Sequence, residues 1–264
     1  MITSSSNQRV KQIIQWQTKA RERRSGGIFL TEGFKLYEEV PAEWVQEVYV
    51  TEDALEKAGT DSALRDKLDK TGWEPVSPEV FGKMSDTRTP QGILCVVKRP
   101  EYCLEQMLSS SGPLLLVLEN LQDPGNVGTI LRTGEGAGVT GVILSEGTVD
   151  VYNPKTIRAT MGSVFRVPHV YEKDLVKTVG TLRENGIRTY AAHLEGEKYY
   201  DSFSFRAGTA FLIGNEGMGL SRELAETADE YLKIPMEGKV ESLNAAVTAS
   251  LLAYEAHRQR RSSL

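Results

Sequence analysis

Near the start of the chain, apolar residues fall at Val10, Ile13 and Ile14 and the pattern continues from Gln17. This helical spacing stops at the Ser25-Gly26-Gly27 breaker. Short β-rich runs follow at 28–30, 45–50 and 93–97, with helical stretches around 34–40 and 53–70 between them. The alternation predicts a compact α/β unit over residues 1–98. Residues 99–112, RPEYCLEQMLSSSG, read as a linker or a short helix leading into one, because a Ser-Ser-Ser-Gly-Pro cluster closes them.

From residue 113 to 264 the alternation is more regular. Apolar runs at 114–119, 141–145, 188–194 and 209–214 are interleaved with helices from Val127, near 155–161 and at the C-terminus, with a short strand around Ile234. Apolar strands flanked by helices predict a mostly parallel sheet covered on both faces, and such sheets bind ligands at the carboxyl ends of their strands. The last helix carries Leu243, Ala246, Val247, Ser250, Leu251 and Tyr254 at i, i+3, i+4, i+7 spacing, which predicts a buried stripe.

Composition adds exclusions. A chain of 264 residues with 40% hydrophobic and 25% charged residues fits an ordinary soluble protein rather than a disordered or fibrous one. No apolar run approaches the roughly 20 residues a bilayer requires. The opening MITSSSNQRVKQ lacks an apolar signal core, so the expected address is the cytoplasm. Cys95 and Cys103, with His169, His193 and His257, supply no zinc-ligand spacing, and no metal is expected. The net charge of −5 argues against a generally basic surface. Locally, however, Arg9, Lys11, Lys19, Arg21, Arg23 and Arg24 face one acid, Glu22, within residues 1–24. Such a cluster is either a solvated helix face or an RNA-facing arm.

Three segments that follow strands in the second section carry candidate chemistry. In the first, Asp123-Pro124-Gly125-Asn126 opens a helix. Asn126 suits either helix capping or a ligand-side role, and Arg132 in the second turn can aim a fixed cation into the crevice. In the second, Ile213-Gly214-Asn215-Glu216-Gly217-Met218-Gly219 follows an apolar strand, and its glycines let backbone approach a ligand closely. It is not a phosphate loop, since no Gly-Lys-Ser/Thr closes it. Gly134 to Gly138 is not a dinucleotide fingerprint either, because it lies inside a helix. Glu216 there either orients a donor group or accepts amides of its own loop. The third runs from Ile234-Pro235-Met236 to Ser242-Leu243-Asn244 at the entrance of the last helix. Ser242 has the chemistry of its N-cap, which would put Asn244 in the first turn, where an amide can both donate and accept.

Taken in order, these three segments resemble the signature motifs of the SpoU (TrmH-like) RNA ribose 2′-O-methyltransferases, over roughly residues 113–260. The stretch Asn153-Pro154-Lys155 through Arg158-Ala159-Thr160-Met161-Gly162-Ser163-Val164-Phe165 is also typical of that family. The N-terminal section, with Thr3-Ser4 to Lys11 and Phe29-Leu30-Thr31-Glu32-Gly33, is similar to the RNA substrate-binding domain often fused in front, whose fold is like certain RNA-binding ribosomal proteins.

The resemblance implies a smaller α/β RNA-binding domain (1–98), a linker (99–112) and an α/β methyltransferase domain (113–264) with a parallel sheet and a deep trefoil knot. It implies S-adenosylmethionine as cofactor, held by Gly214, Ile234 and Leu243 and by their neighbours Ile213, Asn215, Gly219 and Met236. Arg132 would be catalytic, with Asn126, Glu216, Ser242 and Asn244 shaping the site. It further implies RNA as partner, ribosomal first and transfer RNA second, and a homodimer with the site completed near the subunit interface. Two rivals stand beside it: a non-catalytic RNA-binding or ribosome-assembly protein, and a related knotted enzyme that methylates a base nitrogen. One departure is Gly134 and Gly136, where the family more often has alanine-like residues; it predicts a short or close-packed helix.

Overall fold

Leu114–Leu118 is apolar throughout, Thr209–Ile213 is apolar after its first residue, and both are buried at every position, the mark of central strands in a covered parallel sheet. The structure, a computed structural model, describes residues 1–261. The end of the expected 113–264 domain, 262–264, lies outside the described residues.

The strands in chain order are β1 (Ile28–Glu32), β2 (Val45–Val50), β3 (Glu74–Pro75), β4 (Ile93–Lys98), β5 (Leu114–Leu118), β6 (Gly141–Ser145), β7 (His169–Glu172), β8 (Arg188–Ala192), β9 (Lys198–Tyr199), β10 (Thr209–Ile213) and β11 (Glu230–Lys233). The helices are α1 (Gln8–Thr18), α2 (Ala20–Gly26), α3 (Phe34–Glu39), α4 (Glu52–Ala58), α5 (Ser62–Thr71), α6 (Pro78–Met84), α7 (Leu104–Leu108), α8 (Pro124–Ala137), α9 (Pro154–Thr160), α10 (Leu175–Glu184), α11 (Arg222–Ala225) and α12 (Ala245–Arg261). None of the described helices is long and apolar enough to cross a membrane.

The chain forms two units. The first comprises Met1–Glu101 together with Asp150–Phe165. Its sheet has the order β1-β4-β2-β3, antiparallel except for the β2–β3 pair. Val10 and Ile13 of α1 enter a core with Ile28, Leu30, Tyr49, Val80 and Phe81. The segment Asp150–Phe165 belongs to this unit because its rings and charge are used there. Phe29 meets the rings of Tyr152 and Phe165 at centroid distances of 4.8 and 6.1 Å, and Arg23 pairs with Asp150 at 2.6 Å.

The second unit comprises Tyr102–Val149 and Arg166–Leu264. Its seven strands run in the order β7-β6-β5-β10-β8-β11-β9, all parallel. Chain order reverses between β5 and β10, so the crevice at their carboxyl ends is the place where a ligand binds in such sheets. The stretch 99–112 contributes α7, whose Met107 is buried in this unit's core. Gly141 lies against it: a Cβ there would come 2.5 Å from the Met107 sulfur and displace that side chain.

The stripe expected on the last helix is corrected. Its buried face is Ala245, Ala246, Ala249, Leu252, Ala253 and Ala256, whereas Val247, Leu251 and Tyr254 are exposed. Small residues face inward because α12 packs closely along α8. Ser250 donates to Thr133 at 2.9 Å, and a Cβ on Gly136 would sit 2.7 Å from the Tyr254 hydroxyl. The Tyr254 hydroxyl thus lies over Gly136, and α8 itself runs for 14 residues.

Candidate active site

α8 begins as its sequence dictates, with Pro124 in the first turn, but the cap is Asp123, not Asn126. The Asp123 carboxylate accepts from the backbone N–H groups of Gly125 and Asn126. Asn126, relieved of capping, turns its amide toward the loop after β10. There its Nδ2 donates to Glu216 Oε1 at 2.9 Å. The same carboxylate accepts from the backbone N–H groups of Gln122 and Asp123, both at 3.1 Å.

A second correction concerns the entrance of α12. The helix starts at Ala245 and its cap is Asn244, whose Oδ1 accepts from the N–H groups of Ala246 and Val247 at 2.8 and 3.3 Å. Ser242 stands exposed two residues earlier, too far from the first turn to cap it. Asn244 Nδ2 then donates to Asn126 Oδ1 at 3.0 Å. One string of hydrogen bonds, Asn244 to Asn126 to Glu216, thus joins all three segments. Burial alone would raise the Glu216 carboxyl; the hydrogen bonds from Asn126, Gln122 and Asp123 outweigh it and hold the group below its ordinary value. Glu216 is ionised at neutral pH, and these donors keep its oxygens occupied.

The loop after β10 is built on a close backbone approach. A Cβ on Gly214 would lie 2.1 Å from the carbonyl carbon of Gly219 and from the Leu220 nitrogen, so only glycine fits. Asn215 and Gly219 exchange backbone hydrogen bonds of 2.9 Å each, and Gly219 takes a left-handed φ of 71°. Beside this loop opens a cavity of about 390 Å³. All seven expected cofactor contacts, Ile213, Gly214, Asn215, Gly219, Ile234, Met236 and Leu243, line it, as do Glu216 and Ser242. Asn126, Arg132 and Asn244 are not among the lining residues. Arg132 is exposed and makes no side-chain hydrogen bond or ion pair among the described residues.

Several contributors escaped the motif reading. His193, Leu194 and Glu195 line the cavity from the carboxyl end of β8. Asn120, just past β5 with φ 55°, offers its carbonyl to Asn215 Nδ2 at 2.7 Å. Glu119 accepts from the Ser221 N–H and hydroxyl, both at 2.7 Å. The available signal was position alone, a polar residue directly after an apolar strand.

The basic cluster divides. Arg9, Lys11, Lys19, Arg21 and Arg24 are exposed, with Arg9 3.6 Å from Glu47. Arg23 leaves the expected RNA-facing set. It is 2% exposed, and besides Asp150 it donates to the carbonyls of Trp16 and Gln17 at 2.6 and 3.2 Å. Its charge is spent inside the first unit.

The SpoU rRNA Methylase family pattern matches residues 113–254, and an MRM3-like substrate binding domain matches residues 7–95. The chain belongs to the SpoU family. Among SpoU relatives, the chain is 34% identical to the Bacillus subtilis 23S rRNA (guanosine(2553)-2′-O)-methyltransferase RlmP, over 96% of this chain and 97% of the relative. The SpoU methyltransferase AviRb from Streptomyces viridochromogenes, solved with AdoMet, superposes with a TM-score of 0.85 at 28% identity, covering 97% of this chain and 99% of that one. An AdoMet-bound rRNA methyltransferase from Sinorhizobium meliloti gives a TM-score of 0.85 at 29% identity, covering 97% of each chain.

Proposed function

We propose that the protein transfers a methyl group from S-adenosylmethionine to a ribose 2′-hydroxyl of structured RNA, with 23S ribosomal RNA the first substrate. The observation that carries this is the convergence of all seven expected cofactor contacts on one cavity, beside the Glu216 that is strung to Asn126 and Asn244. The residues suit the cofactor. The walls are apolar at Ile213, Ile234, Met236 and Leu243, backbone is bare at Gly214, and Glu195, Glu216 and Glu241 against Lys233 favour a cationic ligand. When bound, the cofactor supplies an electrophilic methyl on a sulfonium.

The chain's own residues position and polarise. Arg132 is a permanent cation and no base; unpaired and exposed, it stabilises charge developing on the ribose oxygen or orients a neighbouring RNA phosphate that takes the hydroxyl proton as the methyl arrives, leaving the cofactor a neutral thioether. The committed Glu216 carboxylate does not take the proton; it fixes Asn126, and with Asn244 holds the ribose side of the site. The five exposed bases of residues 9–24 supply phosphate contacts. Because Arg132 stands outside the lining of its own cavity, the reading includes a homodimer that completes the site. The exposed Val247, Leu251 and Tyr254 on α12, at i, i+4, i+7, support that face as the contact. With the family reading go the knotted threading of the C-terminal segment and action in the cytoplasm.

The test is incubation of the purified protein and methyl-labelled S-adenosylmethionine with total RNA from a deletion strain, followed by nucleoside analysis. Label in a 2′-O-methylnucleoside is expected, with fractionation of the RNA separating ribosomal from transfer RNA. Arg132→Ala is expected to bind cofactor and transfer nothing; label on a base instead of the ribose would overturn the assignment.

A further inference from the structure

We infer that Met218 and Leu194 form an apolar platform at the mouth of the cofactor cavity that receives the unstacked base of the nucleotide being methylated. The inference rests on the function proposed above. Met218 is 89% exposed and Leu194 67%, the two most exposed large apolar side chains among the described residues. Both line the same cavity, although they come from different strands' loops, after β10 and after β8. Isolated exposed apolar residues need no explanation, but two that line one ligand cavity do.

The platform is held firmly. Met218 sits at the tip of a turn flanked by Gly217 and Gly219, closed by the Asn215–Gly219 backbone pair. Asn215 Oδ1 accepts from the N–H groups of Gly217 and Met218 at 2.9 and 3.0 Å, while its Nδ2 anchors the turn to Asn120. Leu194 follows His193, whose ring packs on Tyr231 at a centroid distance of 4.9 Å.

Charge selects the occupant. The cavity lining carries Glu195, Glu216 and Glu241 against Lys233, a field that repels a phosphodiester and accepts a neutral base. Arg132, an exposed cation without an ion pair among the described residues, lies outside that lining and suits the phosphate side. A thioether and an aliphatic side chain give a base a polarizable, apolar face. A base can reach such a face only when it is free of its helix, so the target nucleotide is unpaired or extruded.

The experiment uses the full chain, total RNA from a deletion strain and methyl-labelled S-adenosylmethionine, with cofactor affinity read by calorimetry and molar mass by light scattering. Met218→Ala and Leu194→Ala are each expected to lower kcat/KM for RNA on the order of 10-fold. Met218→Phe, which keeps an apolar, polarizable face, is expected to stay near wild type, with cofactor affinity and molar mass unchanged in all three. Unchanged transfer in both alanine variants overturns the platform. So does a parallel fall in cofactor affinity, which would make these side chains cofactor walls, or a halved molar mass, which would make them a subunit contact. A wild-type protein that transfers no methyl sinks the function itself, a result distinct from any of these.

Discussion

The side-chain amide of Asn244 donates to Oδ1 of Asn126 at 3.0 Å, and this bond settles the orientation of both amides. Asn244 Oδ1 is committed to the first N–H groups of α12, so its Nδ2 must face Asn126. Asn126 then presents oxygen to Asn244 and nitrogen to Glu216, whose oxygens accept it. One helix cap thereby dictates the polarity of a string that crosses three segments.

Asn244→Asp separates the two jobs of that residue. Aspartate caps a helix as well as asparagine, so thermal stability is expected to stay near wild type. Its second oxygen faces Asn126 Oδ1 with no proton to give, and methyl transfer is expected to fall by at least 10-fold. Asn244→Ala loses the cap as well, at about 1 kcal/mol in thermal unfolding. An Asn244→Asp protein with full activity would show that the string is structural decoration.

Gly214→Ala and Gly217→Ala make a matched pair. The first puts a methyl 2.1 Å from backbone atoms of Gly219 and Leu220, which cannot yield as a side chain could. Overpacking of this kind costs about 1–3 kcal/mol, and the displaced loop is expected to lose cofactor affinity in calorimetry. In the second, the nearest atom to the new methyl is Asn215 Oδ1 at 3.7 Å, and both stability and affinity are expected to hold. Equal behaviour of the two variants contradicts the cradle.

Glu216 gives a pH signature with a definite sign. Its folded pKa is depressed, so its ionised form stabilises the fold above the ordinary carboxylate pKa of about 4.3. That contribution is lost as pH falls through the lower folded value. The melting temperature of wild type is expected to exceed that of Glu216→Gln at pH 7, with the gap closing in acid below the ordinary carboxylate pKa. A gap that closes between pH 5 and 7 would mean a raised, proton-carrying Glu216.

Arg23 and its basic neighbours are expected to respond oppositely. Arg23→Ala leaves Asp150, whose side chain is 17% exposed, without its cation and with the Tyr152 N–H to accept from, and breaking a buried pair costs about 3–5 kcal/mol. Single alanine changes at Lys11, Lys19, Arg21 or Arg24 are expected to leave stability within about 0.5 kcal/mol. Each that touches phosphate should instead flatten the slope of log affinity against log salt by about 0.7–0.9. Filter binding with total RNA over a salt series reads this; four unchanged slopes remove the arm from RNA contact.

Much was legible in the residues themselves. Strands buried on both faces are continuous apolar runs, so β5, β6 and β10 stand where the sequence puts them, and glycine-rich loops after strands mark the ligand end of a parallel sheet. The seven expected cofactor contacts were nameable through the resemblance of their segments to the SpoU motifs, and they share the lining of one cavity. What local sequence left open was choice among chemically equal candidates. Asp123 and Asn126, or Ser242 and Asn244, are each fit to cap a helix, and only the fold decides which does. The decision lies with partners 90 residues away for Asn126 and Glu216, and 118 for Asn126 and Asn244. The same holds for α12, where helical spacing marks two apolar faces and close approach to α8 selects the alanine one, and for Arg23, a surface base by composition until Asp150 is brought to it. Periodicity and turn chemistry act between near neighbours and are written in the chain; hydrogen-bond commitment and burial depend on which distant residues meet, and only the tertiary structure brings them together.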